Sequence, residues 1–208
     1  MSSKHAPMRR LILFPTFILS ALWLHGCAAV TAASAVPGSL VEMAATQLAG
    51  EERSFPYSAN TILAAIQSSL RTMKLDVDVV EIEEQGYSLA FTDENLTGKI
   101  TLRSMTPKLT TINVKVRRTM REESVEKSII QSVQTELTLN SKKKKSFRYA
   151  GYQNLREKAD IKTARVGWYR KSATIETWRN GKSDWFRMKL PSGKTAYLKG
   201  DPLQFASN

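Results

Sequence analysis

Side chains able to do covalent or acid–base chemistry are few and scattered in this sequence. There is one cysteine, Cys27, and there are two histidines, His5 and His25. A lone thiol excludes an intramolecular disulfide framework and a multi-cysteine metal site. Beyond Cys27 the chain has no histidine. A His-based triad, a His-ligated zinc and an imidazole general base therefore have no residues to draw on there. Carboxylates gather at Asp76, Asp78, Glu81, Glu83 and Glu84. A carboxylate-dependent glycoside hydrolase needs two converging acids, one with a raised pKa. Along a strand these positions fall on both faces, so the cluster reads as an acidic, solvated edge of the kind that resists aggregation.

The third group of candidates combines aromatic rings with cations. Trp168, Tyr169, Trp178, Trp185 and Tyr197 share the last fifth of the chain with Arg165, Arg170, Lys171, Arg187 and Lys199. Aromatic rings supply contact area at low entropic cost, and cations meet carboxylates and phosphates. That is binding chemistry. The competing role for each ring is a place in a hydrophobic core.

Composition and patterning indicate which helices and strands hold these residues. The chain has 208 residues, 42% hydrophobic and 24% charged. That suffices for one or two small domains with real cores. Met8-Arg9-Arg10 precedes an apolar run from Leu11 to Leu24. A short basic start before an apolar stretch of about 7–15 residues is the export-signal pattern, and a membrane span needs about 20. The run ends Leu24-His25-Gly26-Cys27-Ala28, which resembles the lipobox of bacterial lipoproteins. Leu24, Gly26 and Cys27 match it, while His25 stands where a small residue is usual. The resemblance implies a cut before Cys27 and lipidation of its thiol. Ala28 after the cysteine implies, by likeness to lipoprotein sorting in Gram-negative bacteria, the periplasmic face of the outer membrane. Two other outcomes stay open: ordinary cleavage near Ala33-Ser34-Ala35, and an uncleaved anchor. Residues 27–50 are small and weakly polar, as expected of a flexible tether.

Charge divides the chain from Cys27 onward into two parts. Residues 27–140 hold 11 Lys and Arg against 14 Asp and Glu, a net of −3. Residues 141–208 hold 17 against 5, a net of +12. Such asymmetry predicts two modules, the second facing an anionic partner. The run Lys142-Lys143-Lys144-Lys145 marks the join and opens a basic linker, 141–158.

Residues 51–140 predict a small α+β domain. An extended segment covers Glu51–Tyr57, and Ser58 can cap a helix from Ala59 to about Met73. Ile62, Leu63, Ile66 and Leu70 form its apolar stripe. Strands come next, through Val77–Ile82, Tyr87–Thr92, Lys99–Ser104 and Thr110–Arg118, the last alternating cleanly between apolar and polar residues. A second helix spans about Arg121–Leu139. The expectation is an antiparallel sheet carrying two helices on one face. Phe55-Pro56-Tyr57-Ser58, then the helix, then Leu75-Asp76-Val77 resembles the small domain of DUF3568-type bacterial lipoproteins. That likeness implies an envelope location and brings no catalytic residues.

Residues 159–205 predict a small all-β barrel. Asn180-Gly181 and Ser192-Gly193 are hairpin markers. Between the turn signals lie short runs, Ala173–Trp178, Trp185–Leu190 and Thr195–Lys199. The stretch Asp184–Leu198 resembles the end of bacterial SH3 domains. A Trp opens a strand, a Gly-Lys-Thr turn comes after it, and an aromatic-aliphatic strand closes. Ala159–Thr163 would stand for that family's first strand, with Arg165-Val166-Gly167 where a Gly-Pro step is usual. The resemblance implies an SH3-like barrel that binds peptidoglycan of the cell wall or an envelope protein. Its ligand residues would come from Trp168, Tyr169, Trp178, Trp185, Tyr197, Arg165, Arg170 and Arg187.

The expectation is thus a non-enzymatic lipoprotein of the cell envelope with no metal and no cofactor. It is held in a membrane by its lipid anchor and docks on peptidoglycan or an envelope partner. An accessory role in an envelope protein complex is the first alternative, and a carboxylate-dependent wall hydrolase the second. An export signal argues against nucleic acid as the partner of the basic half.

Overall fold

Among the described residues of the computed structural model, two helices lie against one ten-stranded antiparallel sheet. The structure describes residues 49–139, 145–181 and 184–200, all within one compact unit, Ala44–Asn208. Cys27, the export signal, most of the tether and Lys142–Lys144 lie outside the described residues.

The first half runs β1 (Glu51–Phe55), α1 (Ala59–Thr72), β2 (Val79–Glu83), β3 (Gly86–Asp93), β4 (Leu96–Thr106), β5 (Leu109–Arg117) and α2 (Glu123–Leu139). The second half runs β6 (Tyr152–Arg156), β7 (Arg165–Arg170), β8 (Trp178–Arg179), β9 (Trp185–Lys189) and β10 (Thr195–Lys199). The α+β class and the order of elements in the first half agree with the sequence expectation.

Local sequence explains the helix ends. The Ser58 side chain accepts from the Thr61 backbone N–H at 3.4 Å, which caps α1. At the other end Lys74 takes a left-handed φ of 60°, and the Leu75 N–H donates to the Leu70 carbonyl at 2.8 Å. Helix α2 starts at Glu123 because Arg121 is held in a bridge with Arg117. The Arg121 guanidinium also donates to the buried Glu126 carboxylate at 2.7 Å. Ile62, Leu63, Ile66 and Leu70 of α1 meet Ile129, Ile130, Val133 and Leu137 of α2 in the first core, over Ile100, Leu102, Ile112 and Val114 of the sheet.

Strand order across the sheet is β1-β5-β4-β3-β2-β7-β6-β10-β9-β8. The second half is therefore not a separate closed barrel. Its strands continue the first sheet, which stays open, through the pairing of β2 with β7: Val79 opposite Tyr169, Val80 opposite Trp168, Glu81 opposite Gly167. Val80 enters the first core, and Val79 enters a second core with Leu155, Tyr169, Phe186, Met188 and Leu198. Alternate side chains of one strand point to opposite faces, so the two cores lie on opposite faces of β2.

Three expectations change here. Residues 159–163 form turns, and the strand is Arg165–Arg170, running through the Arg165-Val166-Gly167 segment expected to be a loop. Residues 145–158 are more than a linker: Phe147 is buried in the first core and Tyr152–Arg156 is β6. The acidic cluster is solvated only in part, at Asp76 and Glu84, and it does not form a sheet edge. Strand β2 is central, with β3 on one side and β7 on the other, and Asp78 and Glu81 are buried. Val77 to Glu81 are all buried, as in a strand covered on both faces, and the two acids among them, Asp78 and Glu81, find internal partners.

Candidate functional site

A groove of about 690 Å³ lies at the meeting of both helices, β3, β7 and the 145–149 segment. Its aromatic wall consists of Tyr57, Tyr87, Phe147, Tyr149 and Trp168, with Arg165 at the mouth. The rings come from four separate segments of the chain. Strand pairing with Val80 turns Trp168 toward the helix-bearing face. Phe147 is buried under the helices and carries Tyr149 with it, their ring centroids 4.7 Å apart. Tyr149 then lies 4.4 Å from Trp168, tilted by 37°. The Tyr87 hydroxyl donates to the Asn60 side-chain oxygen at 2.8 Å, which ties β3 to the start of α1.

The electrostatics of the groove are one-sided. The Arg165 guanidinium sits 4.5 Å from the centre of the Trp168 ring. That is cation–π geometry, and Arg165 makes no ion pair with a described carboxylate. At the rim Lys145 is already engaged by Glu136 at 2.6 Å. Burial pushes the Tyr149 hydroxyl above the usual tyrosine range, so it stays a neutral donor and acceptor. The groove thus offers stacked aromatic faces, one open guanidinium and a phenol. It can bind a flat or apolar group carrying an anionic end, a few polar contacts in an apolar cleft being the usual form of a ligand site.

The candidate residues named from sequence divide into separate places. Arg165 and Trp168 line the groove. Tyr169 does not: it points to the opposite face, is buried in the second core, and bonds Gln153 at 2.5 Å. Arg170 is a structural cation, donating to the buried Asp78 at 2.6 Å. Lys171 is exposed beyond the end of β7. Trp178 and Arg187 line a shallow depression of about 220 Å³ on the outer face of the second half. Trp185, Tyr197 and Lys199 stand on that same outer face, opposite the buried Phe186, Met188, Ala196 and Leu198. The sequence reading missed Tyr57, Tyr87, Phe147 and Tyr149. Phe147-Arg148-Tyr149 with Tyr152 shortly after is an aromatic spacing dense enough to contradict a bare linker, and that signal was available.

The two buried acids, Asp78 and Glu81, are each held by a separate partner. Asp78 lies between the Arg170 guanidinium and the surrounding core, and burial raises its pKa despite that cation. Glu81 accepts from the Ser192 N–H at 2.8 Å and from its hydroxyl at 2.5 Å. Neither lines the groove. Among the described residues no three His, Cys, Asp or Glu side chains are grouped to hold a metal ion. No helix of the described residues is long and apolar enough to cross a membrane.

No family model matches the chain, and no curated protein matches it in sequence.

Proposed function

We propose that this protein is a non-enzymatic lipoprotein of the cell envelope, anchored through Cys27, whose aromatic groove binds cell-wall peptidoglycan. The observation that carries the binding role is the row of tilted ring contacts Phe147–Tyr149–Trp168 with Arg165 over the Trp168 ring. A sugar ring or an apolar side chain lies against such faces, and the open guanidinium meets a carboxylate of the wall peptides. The finer fold reading belongs to this proposal: β6–β10 are an SH3-like meander left open where β7 joins β2. The tight β9–β10 hairpin across Ser192-Gly193 supports it. Export and anchoring rest on the Leu24-His25-Gly26-Cys27 segment.

The test is co-sedimentation of the folded unit, Ala44–Asn208, with purified peptidoglycan over a salt series. This unit contains both cores and every described element. Salt-sensitive binding lost in Arg165→Ala and in Trp168→Ala supports the reading. Absence of binding at low salt overturns it in favour of an envelope protein partner. Mass analysis of the full chain against Cys27→Ala decides the anchor separately.

A further inference from the structure

A second surface, distinct from the groove, comes from strand register. Trp178 on β8 pairs with Arg187 on β9, Arg187 with Tyr197 on β10, and Tyr197 with Arg156 on β6. Directly paired residues share a face of a sheet. These four therefore form one row across four strands, ring and cation alternating. The neighbouring row pairs Trp185 with Lys199. Strands lie about 4.8 Å apart, so the row spans roughly 15 Å.

This face is exposed and cationic. Trp178 is 39% exposed. Arg187, Lys189 and Lys199 are exposed, and none makes an ion pair with a described carboxylate. A hydrophobic core requires none of these side chains to be outside, because the second core is filled from the other face by Phe186, Met188, Ala196 and Leu198. A shallow depression lies on this face beside Trp178. Trp and Tyr at headgroup depth, flanked by Lys and Arg, is the pattern of a surface that lies on an anionic bilayer.

We propose that the outer face of β8–β9–β10–β6 is a docking surface for anionic phospholipid headgroups. The choice of a bilayer over another polyanion rests on the anchor at Cys27 in the function proposed above. Residues 28–50 reach at most about 80 Å when fully extended, which keeps the face within range of the membrane. Two points of attachment, a lipidated terminus and a basic aromatic face, would orient the groove relative to the wall. A single weak anchor gains from a second signal of this kind.

The experiment uses the Ala44–Asn208 unit, which lacks Cys27, so its outcome is independent of lipidation and of the groove. Vesicles of equal parts phosphatidylglycerol and phosphatidylcholine are compared with pure phosphatidylcholine by co-sedimentation at low and high salt. Binding to the anionic vesicles alone is expected, weakening with salt. Arg187→Gln should weaken it about fivefold, the contribution of one cation near such a surface. Trp178→Ala should weaken it as well. Lys108→Gln, a like loss of charge in the exposed β4–β5 turn, should leave it near wild type. Circular dichroism shows whether each variant is folded. The proposal is overturned if neutral vesicles bind as well, if no vesicle binds at low salt, or if Lys108→Gln weakens binding as much as Arg187→Gln. Tighter binding to single-stranded DNA than to anionic vesicles also overturns it. Peptidoglycan binding by the same unit can succeed or fail without altering any of these outcomes.

Discussion

Glu81 and Ser192 are 111 positions apart, yet the buried carboxylate of one is satisfied by the backbone N–H and hydroxyl of the other, at 2.8 and 2.5 Å. This clip closes the β9–β10 hairpin onto the central strand of the sheet, beside a second tie from the Lys99 ammonium to the Pro191 carbonyl at 2.7 Å. Taking the hydroxyl away leaves a buried charge short of a donor. Ser192→Ala is therefore expected to cost about 1.5–3 kcal/mol, the range for hydrogen bonds to charged groups. Combining it with Glu81→Gln should cost less than the two separate losses added together, by roughly 0.5–3 kcal/mol. Urea unfolding of the four-member cycle measures this, and strict additivity would sink the clip.

Gly167 lies opposite Glu81 on the seam where the two halves of the sheet join. A Cβ at this position would lie 2.2 Å from the Val80 carbonyl oxygen and 3.1 Å from the Glu81 Cα. Both are backbone atoms, so nothing flexible can move aside. Gly167→Ala must push β7 off β2 and should cost about 3 kcal/mol, the upper part of the overpacking range. Thermal unfolding reads the loss. A variant as stable as wild type would mean that the β2–β7 seam is looser than this geometry.

The same seam marks where the sequence stopped being readable. Periodicity identified α1, α2 and the β3–β5 meander, because each buries one face and Ile112, Val114 and Val116 alternate with polar residues as such a strand should. It failed for β2. A strand buried on both faces has no alternation, and the acids at Asp78 and Glu81 mimicked a solvated edge. Their partners, Arg170 and Ser192, lie 92 and 111 positions away, beyond any local pattern. The groove was half legible for a related reason. Arg165 and Trp168 stood out by type, but Tyr57, Tyr87 and Tyr149 belong to three other elements. Their convergence depends on β7 joining β2, which no spacing in the chain announces.

Asp78 and Arg170 give a pH-dependent prediction. Burial raises the Asp78 pKa, and the guanidinium at 2.6 Å opposes that rise. Replacing the cation, as in Arg170→Met, lets desolvation push the acid further up. An acid with a raised folded pKa lends its full stability below its unfolded pKa and loses it as pH climbs through the folded value. The variant should therefore fall short of wild type by more at about pH 7 than at about pH 4. At neutrality the deficit should be about 2–4 kcal/mol, slightly below the range for a broken buried pair because Arg170 is partly solvated. Denaturant unfolding at the two pH values tests it. An equal deficit at both would show that Arg170 does not hold the Asp78 pKa down.

The three tyrosines that bracket the two halves predict the alkaline limit of the fold. Burial raises the pKa of Tyr149, Tyr152 and Tyr169 above the usual phenol range. Each also has a fixed role: Tyr149 faces Trp168 in the groove, Tyr152 donates to the Val77 carbonyl at 2.7 Å, and Tyr169 bonds Gln153 in the second core. A phenol with a raised folded pKa stabilises fully below its unfolded value of about 10 and loses that contribution as pH rises past the folded one. Stability should fall steeply in that window, with phenolate absorbance lagging behind that of free tyrosine until the chain unfolds. Tyr169→Phe should cost about 1 kcal/mol at neutral pH through its lost hydrogen bond. Because one of the three titrating groups is gone, the same variant should lose stability less steeply with rising pH. If Tyr169→Phe and wild type lose stability in parallel, Tyr169 ionises as an ordinary phenol and the second core is open to water at that ring.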